Sequence, residues 1–255
     1  MIKLLSIAGS DPSGGAGIQV DLKTFQALGA FGMAIPAALT FQNSRGVAGT
    51  EPVPPASITR QIEVLLSDMR PDAIKTGMLL TRQAVAAVAK SVKKHGISNV
   101  VVDPIVRSTS GRILLRPDGI KALKEQLLPL ALLVTPNIPE AEVLTGVLIR
   151  NDEDMDFAAG KLLDLGPKYV LIKGGHRPGP AVDTLYGGKQ VLEFSTERQK
   201  GDFHGTGCVL SAAITLFIGQ GLPVEKAVEK GKQFVEKMLK KARPAGKGRT
   251  KYFQF

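Results

Sequence analysis

A single cysteine, Cys208, stands among 255 residues. A lone thiol closes no intrachain disulfide, and no positively charged leader with an apolar segment opens the sequence, so a cytoplasmic home is expected. No uninterrupted apolar run approaches the roughly 18 residues needed to span a bilayer, which argues against a membrane partner. Histidine is scarce too. His95, His176 and His204 are scattered and form no zinc cluster with one cysteine. None lies in a recognisable nucleophile signature, which makes cysteine-protease chemistry a poor fit. Gly-Lys occurs at 160, 188, 231 and 246, never in the frame of a Walker A loop. The stretch "SGGAG" also lacks the G-x-G-x-x-G spacing of a dinucleotide fingerprint. A P-loop ATPase and a Rossmann dehydrogenase are both disfavoured.

Acid is missing from one place, the last sixteen residues. They hold Lys240, Lys241, Arg243, Lys247, Arg249 and Lys251, six of the net charge of +10. No recognition helix or aromatic stacking motif accompanies them, so nucleic acid is not the expected partner and a solvated basic tail at about 243–255 is. The field could still help gather an anionic nucleotide.

What is present is ordinary for a globular chain: 44% apolar residues, 22% charged residues and 28 glycines. The length suits one domain over 1–255. Strand and helix patterns alternate. Ile2 to Ala8 is a short apolar strand, a Gly/Ser loop follows, and Ile18, Leu22, Phe25 and Leu28 carry helical spacing up to Gly29. "MAIPAALTF", "DAIKTGM", "NVVVDP" and "YVLIKGG" read as strands, and a hairpin is expected around Gly187-Gly188. "RQAVAAVAKSVKKH" reads as a helix capped by Thr81, and two helices, Thr206 to Gly219 and Val224 to Ala242, close the chain. This order predicts an α/β fold, a central mostly parallel sheet with helices on both faces. In such sheets ligands bind beyond the carboxyl ends of the strands, which selects "GSDPSGGAG", "KTGM", "DPIVRSTSG", "TPNIPEAE" and "KGGH".

Gly205-Thr206-Gly207 precedes an apolar helix. Its free N–H groups and the helix dipole suit an anion, although the same residues could be a plain N-cap. Cys208 lies in that first turn, where the dipole and nearby cations would lower its pKa; it could equally be a small buried hydrophobe. Asp103, Asn137, Glu140 and Glu142 follow strand ends and could offer oxygen ligands to magnesium, or be solvated loop residues. Asp11 and Asp21 flank the first glycine-rich loop, with capping the plain role for Asp11. Lys173, before Gly174-Gly175, could reach a phosphate or only solvent.

Taken together, "AGSDPSGGAGIQVDLKTF", "QNSRGV", "KTGML", "VVDP", "TPNIPEAEVLTG", "VLIKGGH" and "HGTGCVLSAA" resemble, in order and spacing, the hydroxymethylpyrimidine and phosphomethylpyrimidine kinases of thiamine biosynthesis, within the ribokinase superfamily. The resemblance runs from Ile2 to about Ala242. It implies a ribokinase-like fold, assembly as a homodimer, and an enzyme that uses ATP and Mg2+. The implied reaction phosphorylates 4-amino-5-hydroxymethyl-2-methylpyrimidine and then its monophosphate in one site. It places Gln42 on the amino and ring-nitrogen edge of the pyrimidine, with Asp21, Gly9 and Ala16 lining the same pocket. It makes Gly205, Thr206 and Gly207 the anion hole and Cys208 the proton acceptor. Asn137 and Glu140 match an N-x-x-E magnesium motif with Asp103 nearby, while Lys173 and Gly175 fall near the nucleotide phosphates. The chain departs from the family pattern at Arg107 in "IVRSTSG", and its tail is assigned no catalytic part. A pyridoxal kinase is the rival reading. A non-catalytic nucleotide- or pyrimidine-binding protein on the same fold is the more distant one.

Overall fold

The computed structural model describes residues 1–108, 111–175, 180–188 and 190–255. Among these, nine strands form one sheet in the order β3-β2-β1-β4-β5-β6-β7-β8-β9. The strands are β1 (Lys3–Ser10), β2 (Phe31–Asn43), β3 (Gly46–Pro52), β4 (Ala73–Thr76), β5 (Val100–Val102), β6 (Leu133–Val134), β7 (Tyr169–Lys173), β8 (Ala181–Gly187) and β9 (Leu192–Thr196). The run from β2 to β7 is parallel. Antiparallel hairpins border it on both sides, β2 with β3 and β7 through β9. The mostly parallel sheet and the hairpin near Gly187 agree with the sequence. The β2–β3 hairpin does not appear in that reading.

Side-chain alternation explains the near-continuous apolar strands. Leu5, Ile7, Val100, Val102, Val134, Val170 and Ile172 face one core, under α2 (Pro55–Leu66), α3 (Arg82–Lys94), α5 (Ile138–Thr145) and α6 (Asp152–Leu163). Leu4, Val101, Leu133 and Leu171 face the other core, under α1 (Gly17–Ala27), α7 (Thr206–Gly219) and α8 (Val224–Lys241). A period of two between two apolar layers therefore leaves no polar face. Thr81 caps α3 by accepting from Ala84 N–H. A further helical stretch, α4 (Pro117–Ala122), widens over Leu123–Leu127 and tightens again at Leu128–Leu130.

The tail keeps Lys240, Lys241, Arg243, Lys247 and Arg249 exposed, and its backbone is docked. Strands β10 (Arg243–Pro244) and β11 (Lys251–Tyr252) pair antiparallel. Lys251 N–H donates to the Asp202 carbonyl at 2.8 Å, and His204 N–H donates to the Lys251 carbonyl at 3.0 Å. Tyr252 and Phe253 are buried. The tail thus braces the loop that leads into α7.

Candidate active site

The carboxyl ends of β1, β4, β5, β6 and β7 open into one cavity of about 1010 Å³. After β1, Asp11 folds the glycine-rich loop around its own carboxylate: Oδ1 accepts from Ser13 N–H at 2.8 Å and Oδ2 from Ala16 N–H at 2.8 Å. Such a turn needs a short acceptor at its first position. Gly17, at φ +60, opens α1; a Cβ there would strike the Gly9 carbonyl oxygen. The β1–β2 register shifts at Gly9 and the β2–β3 register shifts at Gln42. Bulges of this kind re-aim side chains beside ligand sites, and both residues line the cavity.

Packed against this loop, Gly205 is the N-cap of α7 at φ +77, and no side chain caps the helix. The first N–H groups of α7 therefore face the cavity as donors, with the positive end of the helix dipole behind them. Lys173 Nζ lies beside this turn: a Cβ on Gly207 would sit 3.0 Å from it. A Cβ on Gly205 would fall on the Gly15 carbonyl oxygen, and the left-handed conformation itself costs a non-glycine residue about 1–2 kcal/mol. Gly205→Ala is therefore expected to lower thermal stability and to weaken nucleotide binding. Calorimetric melting and ATP titration check both, and an unchanged ATP affinity would remove the turn from the phosphate site.

Charge is arranged in layers beside this turn. Lys173 Nζ donates to Asp103 Oδ1 at 2.9 Å and lies 4.0 Å from Glu140 Oε2. Asp103 also accepts from Thr135 Oγ1 and Ser211 Oγ, each at 3.2 Å. Burial opposes the Asp103 charge, but Lys173 and Lys75 outweigh it and hold the carboxyl below the usual range. Burial pushes Glu140 up to about 7, Lys173 pulls against this, and Asp103 adds to the rise. Asn137 and Glu140 form a reciprocal capping box on α5: Glu140 N–H donates to Asn137 Oδ1 and Asn137 N–H to Glu140 Oε2, each at 2.8 Å. The N-x-x-E spacing thus serves the helix end as well as the cavity.

No three His, Cys, Asp or Glu side chains among the described residues are grouped as a metal cage. Asp103 and Glu140 already face one ammonium, so the donor set fits a magnesium ion that arrives on phosphates and keeps its waters.

The structure brings Gly9, Ala16, Gln42, Asp103, Asn137, Glu140, Lys173, Gly175, Gly205, Thr206, Gly207 and Cys208 to this one cavity. It corrects three expectations. Asp21 is fully buried and is not among the residues that line this cavity; it accepts from Lys75 Nζ at 2.9 and 2.8 Å and from Ser6 Oγ at 2.6 Å. Glu142 accepts from Ile149 N–H at 2.9 Å, away from the cavity. The Cys208 thiol is not lowered: burial pushes it up to about 12, with Lys75 pulling down and Asp103 and Asp21 pushing further up. Helix dipole and cations lose to desolvation here. His176 lies outside the described residues.

Three residues of the cavity carry roles that the sequence reading missed. Lys75, fully buried, touches the cavity and takes part in the field at Cys208. Its signal was a lysine inside the apolar strand "AIKT", which demands a buried partner. His204 joins Asp11 and Gln42 at 2.9 and 2.7 Å. Tyr252 packs edge-on against His204, with ring centroids 5.3 Å apart; nothing local in its sequence announces this.

A glycine-lined helix start, an adjacent lysine and the carboxylates of Asp103 and Glu140 at this edge of the sheet suit a site that handles phosphate. The phosphomethylpyrimidine kinase family profile matches residues 11–252, and the chain belongs to that family. It is 40% identical over 258 residues to the hydroxymethylpyrimidine/phosphomethylpyrimidine kinase of Bacillus subtilis, covering 99% of this chain and 95% of the relative. It is 43% identical over 247 residues to the thiamine biosynthesis bifunctional protein ThiED of Geobacter sulfurreducens, where it covers 96% of this chain and about half, 50%, of that protein. Among solved structures, the phosphomethylpyrimidine kinase of Clostridium difficile matches with a TM-score of 0.84 at 42% identity, covering 93% of this chain and 99% of the other. The pyridoxal kinase of Staphylococcus aureus, in complex with ADP, matches with a TM-score of 0.91 at 34% identity over 100% and 93% of the chains.

Proposed function

We propose that the protein transfers a phosphoryl group from ATP to the hydroxymethyl oxygen of 4-amino-5-hydroxymethyl-2-methylpyrimidine, and a second one to the resulting monophosphate, in thiamine biosynthesis. The observation that carries this reading is the convergence of Lys173, the uncapped α7 start and Cys208 on one cavity that Gln42 also lines. The Gln42 amide can offer an N–H to a ring nitrogen on the aminopyrimidine edge. The N–H groups of Thr206, Gly207 and Cys208 cradle the transferring group, and Lys173 offsets its charge. Phosphoryl transfer depends mostly on such positioning and charge stabilisation. Magnesium would be held through its waters near Asp103 and Glu140, where it supplies neutralisation of the phosphate oxygens. Cys208 takes the hydroxyl proton as a thiolate, the minority form at neutral pH. We place the enzyme in the cytoplasm as a homodimer. The exposed Leu39 and Phe41 on β2 support the pairing.

Pyridoxal is the second candidate substrate, favoured by the high structural similarity to a pyridoxal kinase. Purified protein with Mg-ATP is expected to convert the aminopyrimidine alcohol to mono- and then diphosphate, followed by ADP release and by phosphorus NMR of the products. Comparing kcat/KM for the two alcohols decides the substrate. A large preference for pyridoxal overturns the assignment, and no ADP from either leaves a binding protein.

A further inference from the structure

The contacts around His204 are over-determined in a way that fixes a hydrogen-bond direction. Asp11 is surrounded by donors: Ser13 N–H and Oγ at 2.8 and 2.7 Å on Oδ1, Gly15 N–H and Ala16 N–H at 3.2 and 2.8 Å on Oδ2. An ionised carboxylate accepts from all of them at once, whereas a protonated one would have to give one up. His204 Nε2 lies 2.9 Å from the same Oδ2, so this nitrogen carries the hydrogen. Gln42 approaches that nitrogen at 2.7 Å through its terminal amide. Two N–H groups repel at such a distance, and the two ends of an amide exchange by a half-turn of the last side-chain bond. The end facing His204 is therefore the carbonyl Oε1, sharing the imidazole hydrogen with Asp11 in a three-centre bond. The Gln42 NH2 is left on the cavity side.

We infer that His204, oriented by Asp11 and seated on Tyr252, is a positioning residue that fixes the Gln42 amide as a hydrogen-bond donor toward the bound heterocycle. This rests on the reading of Gln42 as a substrate contact. The ligand atom opposite must then be an acceptor, such as an unprotonated ring nitrogen. A heterocycle with C–H or N–H at that point forfeits the bond. The docked tail enters the argument through Lys251 and Tyr252, which hold the His204 backbone and ring from behind. Specificity is thereby tied to residues from the first loop, β2, the α7 approach and the chain end.

Two measurements test this. With 15N-labelled histidine, only three imidazoles give signals, and comparison with His204→Gln assigns the one in question. The free protein at neutral pH is expected to show His204 Nε2 protonated; an imidazole with hydrogen on Nδ1 alone overturns the inference. This readout needs neither substrate nor turnover, so it stands apart from the proposed reaction. For kinetics, His204→Leu is expected to raise KM for the aminopyrimidine about tenfold, the worth of one neutral hydrogen bond, with kcat and the ATP KM within about twofold. His204→Gln keeps a terminal N–H and is expected to recover most of the KM. An equal rise in both variants would make His204 a packing residue and overturn the inference. Absence of turnover in the unaltered protein would instead defeat the proposed function and leave the NMR result to decide the amide orientation.

Discussion

Replacing Cys208 by alanine is expected to lower kcat on the aminopyrimidine alcohol by about 10²- to 10⁴-fold, the usual worth of a general base. ATP affinity should hold, because the N–H groups of the α7 start come from the backbone and Lys173 is untouched. Steady-state kinetics together with nucleotide titration separates the two effects. An unchanged kcat would remove Cys208 from proton transfer and hand that role to the phosphate itself.

The buried thiol gives this prediction a pH signature. Burial pushes Cys208 up to about 12 from an ordinary value near 9.0, so the thiolate fraction climbs about tenfold per pH unit through the neutral and mildly alkaline range. kcat of the unaltered enzyme should follow it, and Cys208→Ala should be flat. The groups that share the field are Lys75, which favours the thiolate, and Asp103 and Asp21, which oppose it. Stability moves the other way. The folded state keeps a proton that the unfolded chain releases above about pH 9, so the unfolded state binds fewer protons there and the Cys208 contribution is lost progressively toward pH 12. Urea midpoints of the unaltered protein and Cys208→Ala should therefore converge as pH rises from 9.

The parts of this site that the sequence disclosed are those written in local pattern. The α7 start could be read because glycines precede a strongly apolar helix, and its bounds, Thr206–Gly219, are those expected. The strand ends could be read because each apolar run stops in a polar or glycine-containing loop. Local pattern does not report which atoms are already occupied. Asp21 looked available beside the glycine-rich loop, yet it lies one layer deeper, paired with Lys75. Asn137 and Glu140 looked like ligands, and one oxygen of each goes to capping α5. Strand β3 was missed because "GVAGTEP" has weak β-propensity and is held by pairing along β2. The tail was missed because its docking depends on Tyr252 meeting His204, 48 positions earlier in the chain. Tertiary contact, not composition, folds that segment.

Lys75→Met is expected to cost about 3–5 kcal/mol of stability, the usual penalty for breaking one side of a buried ion pair. Both partners are fully buried, with Nζ 2.9 and 2.8 Å from the two Asp21 oxygens. Burial works against the Lys75 ammonium, but Asp21, Cys208 and Asp103 outweigh it and raise its pKa. Burial already pushes the Asp21 carboxyl up against the pull of Lys75 and Ser6, so without the lysine Asp21 must take a proton to remain inside. Folding of the variant then consumes a proton. Its stability is greatest in acid and falls as pH rises from the unfolded carboxyl value of 3.8, so the deficit against the unaltered protein should be smaller at pH 5 than at pH 8. Adding Asp21→Leu removes the stranded carboxylate and should recover most of the lost stability, since apolar replacement of a buried pair is often neutral or stabilising. Activity should not return with it, because the cation that favours the Cys208 thiolate is still missing. Urea unfolding and kcat measured on the single and double variants give the cycle. A single-variant loss under about 1 kcal/mol would show the pair to be solvated rather than desolvated. A stable double variant with full turnover would show that Lys75 holds the fold together and does nothing for the thiol.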